Sequence, residues 1–135
     1  MKAYLKNSPE AVARILAMMM IADAKLEDRE IDIMDELRGF DIVGISRERF
    51  SQVMHDYCSE LLALGGKDGK VHLIDRQRLN EIADSVDDPK KRLLAAGLML
   101  NIANADGKLH DTELVVFKYV LDRWGMTLES LEAEL

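Results

Sequence analysis

Cysteine occurs once in the 135-residue chain, as Cys58, so no disulfide can form within it and no cysteine-rich zinc site is available. A lone thiol fits a reducing compartment, and a cytoplasmic location is the expectation. Proline occurs only twice, at Pro9 and Pro89. Each stands ahead of a helical pattern, behind Asn7-Ser8 and Asp87-Asp88, as first-turn prolines behind caps do. Long apolar runs are missing as well. The two longest, 15–22 and 93–100, are 8 residues each, far below the roughly 18 that suggest a membrane span. Both read as core helices, and direct membrane insertion is not expected. The opening segment, Met1 to Pro9, lacks the continuous apolar stretch of a signal peptide. Basic charge is also in deficit, with 18 Lys and Arg against 25 Asp and Glu, a formal net charge of −7. Nucleic acid is therefore not expected as a main partner, because phosphate binding needs a concentrated Lys/Arg face.

What is present is a chain that is 48% hydrophobic and long enough to bury roughly two-thirds of the surface its unfolded form exposes. It should fold without disulfides or a structural metal, as a single globular domain over residues 1–135. The apolar spacing is helical throughout. Val12, Ile15, Leu16, Met19 and Ala22 recur at three- and four-residue intervals, predicting a first helix over 9–24 with one buried stripe. A second over 28–39 turns Ile31, Met34 and Leu37 inward, with Gly39 at its C-terminal end. Ser46 caps a third over 47–64, which carries Phe50, Val53, Met54, Tyr57, Leu61 and Leu64 on one face. Helices over 75–86, 89–104 and 111–124 follow, Gly125 closes the last, and Thr127 caps a short terminal helix through Leu131. No segment alternates with a two-residue period. The expected fold is an all-α, compact bundle of about seven helices.

An internal repeat organises this pattern. Ala22-Asp23-Ala24-Lys25-Leu26-Glu27-Asp28-Arg29-Glu30-Ile31 aligns with Ala105-Asp106-Gly107-Lys108-Leu109-His110-Asp111-Thr112-Glu113-Leu114 at an offset of 83 residues, with six of ten positions identical. Each copy joins two predicted helices, so the repeating unit is a helical hairpin with a short acidic turn. The two hairpins are expected to pack with approximate twofold symmetry.

The turn has a chemistry of its own. Asp23 or Asp106 stands where one helix ends, and Glu30 or Glu113 stands in the first turn of the next. Reversal of the chain can bring these carboxylates together, with Asp28 or Asp111 as a third oxygen source. Such an oxygen-rich corner suits Ca²⁺ or Mg²⁺, both hard cations. A purely structural reading stands beside it: a first-turn Glu is also a capping-box member that favours the helix dipole. Asp in a tight connection is equally a turn former, with Gly107 supplying a positive φ. Neither copy is an EF-hand loop, because Lys25 and Lys108 occupy third positions where that loop needs an oxygen ligand.

Ala105-Asp106-Gly107-Lys108-Leu109 followed by Glu113, behind the apolar helix Leu98-Met99-Leu100-Asn101-Ile102-Ala103, resembles the signature of the TerB-like tellurite-resistance proteins. A similar Ala-Asp-Gly turn with a downstream Glu occurs in the N-terminal part of DjlA-type membrane-bound co-chaperones. The resemblance spans most of the chain. It implies an all-helical fold built from two acidic hairpins and a role in stress or metal-ion physiology, through acidic sites that bind a divalent cation. Asp106 and Glu113 match the family turn, and Asp23 and Glu30 are their counterparts. The first copy departs at Ala24, where the motif usually has Gly. The expectation is a non-enzymatic, divalent-ion-responsive stress protein. Its rival is a protein-interaction or co-chaperone module, with a protein partner that is itself membrane-bound, in which the acidic turns only shape the fold.

Other motifs rank lower. None of His55, His72 and His110 has Asp or Glu three positions earlier, so the Glu-x-x-His pair of di-iron bundles is absent. Gly65-Gly66-Lys67-Asp68-Gly69-Lys70 fails as a phosphate loop, because no Ser or Thr follows Lys70 and position 64 is Leu. Met18-Met19-Met20 reads as core filling. Cys58 reads as buried or inert, with no catalytic partner in the pattern. The clusters Asp32, Asp35, Glu36 and Asp84, Asp87, Asp88 read as solvated helix ends or caps that could recruit a basic partner. No nucleophile-base constellation or cofactor motif marks an enzyme.

Overall fold

Oxygen side chains set the starts of four helical segments. Ser8 Oγ accepts from the Ala11 amide at 3.1 Å, Ser46 Oγ from Arg49 at 3.1 Å, Asp88 Oδ1 from Lys90 at 2.9 Å, and Thr127 Oγ1 from Ser130 at 3.0 Å. Each satisfies one of the amides that a first turn leaves without an intrahelical partner. The computed structural model describes residues 4–20, 28–64, 76–106, 111–127 and 129–131. Among these residues it has seven helices: α1 (Pro9–Met20), α2 (Asp28–Glu36), α3 (Gly39–Val43), α4 (Arg47–Leu64), α5 (Arg76–Asp84), α6 (Pro89–Asp106) and α7 (Asp111–Arg123). A further helical turn lies at 129–131. No strand occurs among the described residues, and the fold is all-α. No helix among them is long and apolar enough to cross a membrane.

α1 is the axis of the bundle. The repeat of Val12, Ile15, Leu16 and Met19 suggested one buried stripe, but every residue from Ala11 to Met20 is buried, Arg14 included. The reason is packing: α3, α4, α5, α6 and α7 all lie against α1, so a helix so enclosed has no solvent face. This accounts for Met18, Met19 and Met20, which point in three directions and are all buried. Around α1 the core collects Phe50, Val53 and Met54 of α4, Leu79 and Ile82 of α5, Met99 of α6, and Phe117 and Val120 of α7.

The stretch 28–39 departs from expectation. Instead of one helix ending at Gly39, α2 stops at Glu36, Arg38 takes a left-handed conformation (φ 56°, ψ 30°), and Gly39 begins the unforeseen α3. Gly39 has a packing role: a Cβ there would lie 2.6 Å from both Sδ and Cε of Met34. α3 then ends at Gly44 (φ 80°), whose amide donates to Phe40 O at 2.9 Å, a left-handed stop that favours glycine. Phe40 meets Phe50 of α4 edge-on, with centroids 5.3 Å apart.

At the other end, Gly125 (φ 70°) closes α7 as expected. The Met126 amide donates to Leu121 O at 2.8 Å and the Gly125 amide to Asp122 O at 3.1 Å, the paired bonds of a Schellman motif. The Trp124 indole donates to Ala83 O at 3.0 Å, fixing α7 to α5. Asn7 (φ 62°) ties the entry of α1 to the α5–α6 turn. Its amide donates to Ser85 O at 2.9 Å, and its Oδ1 accepts from the Asp87 and Asp88 amides at 2.9 and 3.0 Å.

The contacts also bear on the repeat. α1 packs on α7, α2 packs on α6, and α1 packs on α6. Exchanging α1 with α6 and α2 with α7 leaves these three contacts unchanged, but the packing of α4 on α1 has no comparable counterpart on α6 among the described residues, so the contacts do not establish a twofold relation.

Candidate functional site

The second acidic corner lies at a junction of helix ends. α6 runs to Asp106, α7 begins at Asp111, and Glu113 follows within its first turn. In the first copy α2 begins at Asp28, with Glu30 in its first turn. The side chains of Asp28, Glu30, Asp106, Asp111 and Glu113 lie outside the described residues, as does Asp23 altogether. Among the described residues no group of three or more His, Cys, Asp or Glu side chains could hold a metal ion. The donor chemistry at the corners is carboxylate oxygen, the kind that hard divalent cations take.

The two surface acidic clusters are engaged within the chain. Arg47 reaches Asp32 at 3.2 Å and Asp35 at 3.4 Å. Arg123 grips Asp84 with two hydrogen bonds, 3.0 and 2.7 Å, and these hold the Asp84 carboxyl below its ordinary range. Asp87 is likewise lowered, chiefly by the hydrogen bond from Asn7 Nδ2 at 2.6 Å. Asp88 is the cap of α6. Asp84 and Asp88 thus stand at helix ends, whereas Asp32 and Asp35 lie within α2 and stay more than half exposed.

A polar cluster that sequence reasoning missed lies between α1, α4 and α5. Arg14 and Arg78, 5% and 7% exposed, both reach Oε2 of Glu60, at 3.4 and 2.9 Å. Tyr57, one turn before Glu60, is buried, and the Arg78 guanidinium lies 5.7 Å from its ring centroid. Burial pushes the Tyr57 phenol up to about 12, with Arg78 and Arg14 opposing the rise. Outside it, the Tyr4 ring carries Arg14 at 5.2 Å and Arg49 at 5.8 Å, and Arg49 pairs with Glu10 at 3.5 Å. The cluster pins three helices through one carboxylate oxygen. Its one signal in the sequence is a charge inside the apolar run Val12-Ala13-Arg14-Ile15-Leu16.

The remaining candidates are placed as follows. His55 is exposed on α4, while His72, His110 and the loop 65–70 lie outside the described residues. Cys58 is half-buried and packs against the core.

Compared with known proteins, the chain matches no family, no curated protein and no solved structure.

Proposed function

We propose that this is a non-enzymatic stress-response protein of TerB-like type, acting in tellurite resistance or a related stress, that binds a divalent cation, Ca²⁺ or Mg²⁺, at its acidic inter-helix turns. The observation that carries the reading is the junction itself. α6 ends on Asp106 and α7 opens on Asp111, with Glu113 in its first turn, so three carboxylate residues flank one short connection. The same residue types recur at Asp23, Asp28 and Glu30. Carboxylates clustered without a cation repel one another, and a hard divalent ion relieves that repulsion while supplying the charge they lack. Resemblance of the Ala105 to Leu109 turn to TerB-like proteins supports the stress setting.

One observation favours a second reading, that of a protein-interaction or co-chaperone-type module. Asp28 and Asp111 are first helical residues, and Glu30 and Glu113 stand in the same first turns, where a carboxylate stabilises a helix by its dipole alone. Calorimetric titration of the full chain with Ca²⁺, Mg²⁺, Mn²⁺ and Zn²⁺ separates the two. Saturable binding of Ca²⁺ or Mg²⁺ that weakens in Asp106→Asn and Glu113→Gln is the expected result. Silence with all four ions, or binding indifferent to both substitutions, favours the module.

A further inference from the structure

We draw no further inference here: the strongest candidate, the shallow apolar groove that runs across α3, α6 and α7 from Ile42 past Leu93 and Met126 to Val115, has both signs of charge on its lining, in Lys90, Lys118 and Asp122, and nothing in the structure shows what covers it.

Discussion

Arg14 of α1 and Arg78 of α5 share a single oxygen of Glu60, at 3.4 and 2.9 Å, although Arg14 and Glu60 are 46 residues apart in the chain. Both guanidiniums are buried, and the Glu60 carboxylate between them is 19% exposed. Removing one partner of a buried ion pair leaves the other charge uncompensated, which costs about 3–5 kcal/mol. Glu60→Gln is therefore expected to destabilise the fold by about 3 kcal/mol in urea titration. The exposed Arg123–Asp84 pair is the control: Arg123→Ala should cost far less, because solvent screens that pair. Equal losses from the two substitutions would contradict the assignment of Glu60 as the pin.

Tyr57 makes stability depend on alkaline pH. Its phenol titrates near 10.0 when unfolded and is pushed up to about 12 by burial in the native state. Between those values the unfolded chain loses the proton and the native protein keeps it, so the unfolded state binds fewer protons and stability falls as pH rises. The contribution is intact below pH 10 and is lost progressively up to about 12, a total of roughly 2–3 kcal/mol. The informative quantity is the difference between wild type and a variant that lacks the Tyr57 phenol. In denaturant melts at stepped pH, wild type should lose stability relative to Tyr57→Phe as pH rises above 10, and a stability difference that does not change with pH would refute the burial of the phenol.

Backbone conformation at the α2–α3 junction yields opposed expectations for neighbouring residues. Arg38 holds φ 56° without being glycine, a conformation that costs an L-residue about 1–2 kcal/mol. Arg38→Gly should therefore be neutral or raise the melting temperature. Gly39→Ala should lower it, because the added methyl group would lie 2.6 Å from the Met34 side chain, which is fully buried. Overpacking of this kind costs about 1–3 kcal/mol. Gly44→Ala has open space around it, so any loss there is conformational. Thermal melts in which Arg38→Gly is the most destabilising of the three would overturn this account.

Legibility in the sequence divided along the range of the interactions. Ser46 and the apolar face of 47–64 gave α4 with the bounds observed, because a cap and its first turn are local. Pro89 behind Asp88 and Gly125 behind α7 were readable for the same reason. α5 ends at Asp84, two residues before the expected limit, where Ser85 Oγ donates back to Ile82 O at 2.5 Å and competes with helix continuation. Gly39 misled in an instructive way: a glycine after an apolar repeat looks like a helix stop, yet the left-handed residue is Arg38 and the glycine answers to Met34. The enclosure of α1 and the convergence of Arg14, Glu60 and Arg78 depend on helices far apart in sequence, and no periodicity within one helix encodes them. For the acidic corners, spacing located the start of α7 at Asp111, whereas α6 runs to Asp106, two residues past the expected limit. Whether carboxylates at such ends cap a helix or bind an ion depends on side-chain convergence, which spacing does not specify.

The central claim is that the acidic corner takes a cation, and thermal melting of the full chain in chelator and in millimolar Ca²⁺ or Mg²⁺ tests it most directly. A ligand that binds only the native state stabilises it by mass action, by about 2.7 kcal/mol at a hundred times its dissociation constant. Wild type is expected to melt higher in metal than in chelator. Asp106→Asn should lose that rise while its metal-free melting temperature stays level or increases, because one repelling charge is gone. Identical wild-type melts in chelator and in both metals, together with a loss of roughly 0.5–2 kcal/mol in Asp106→Asn or Glu113→Gln of the kind a missing cap produces, would contradict it.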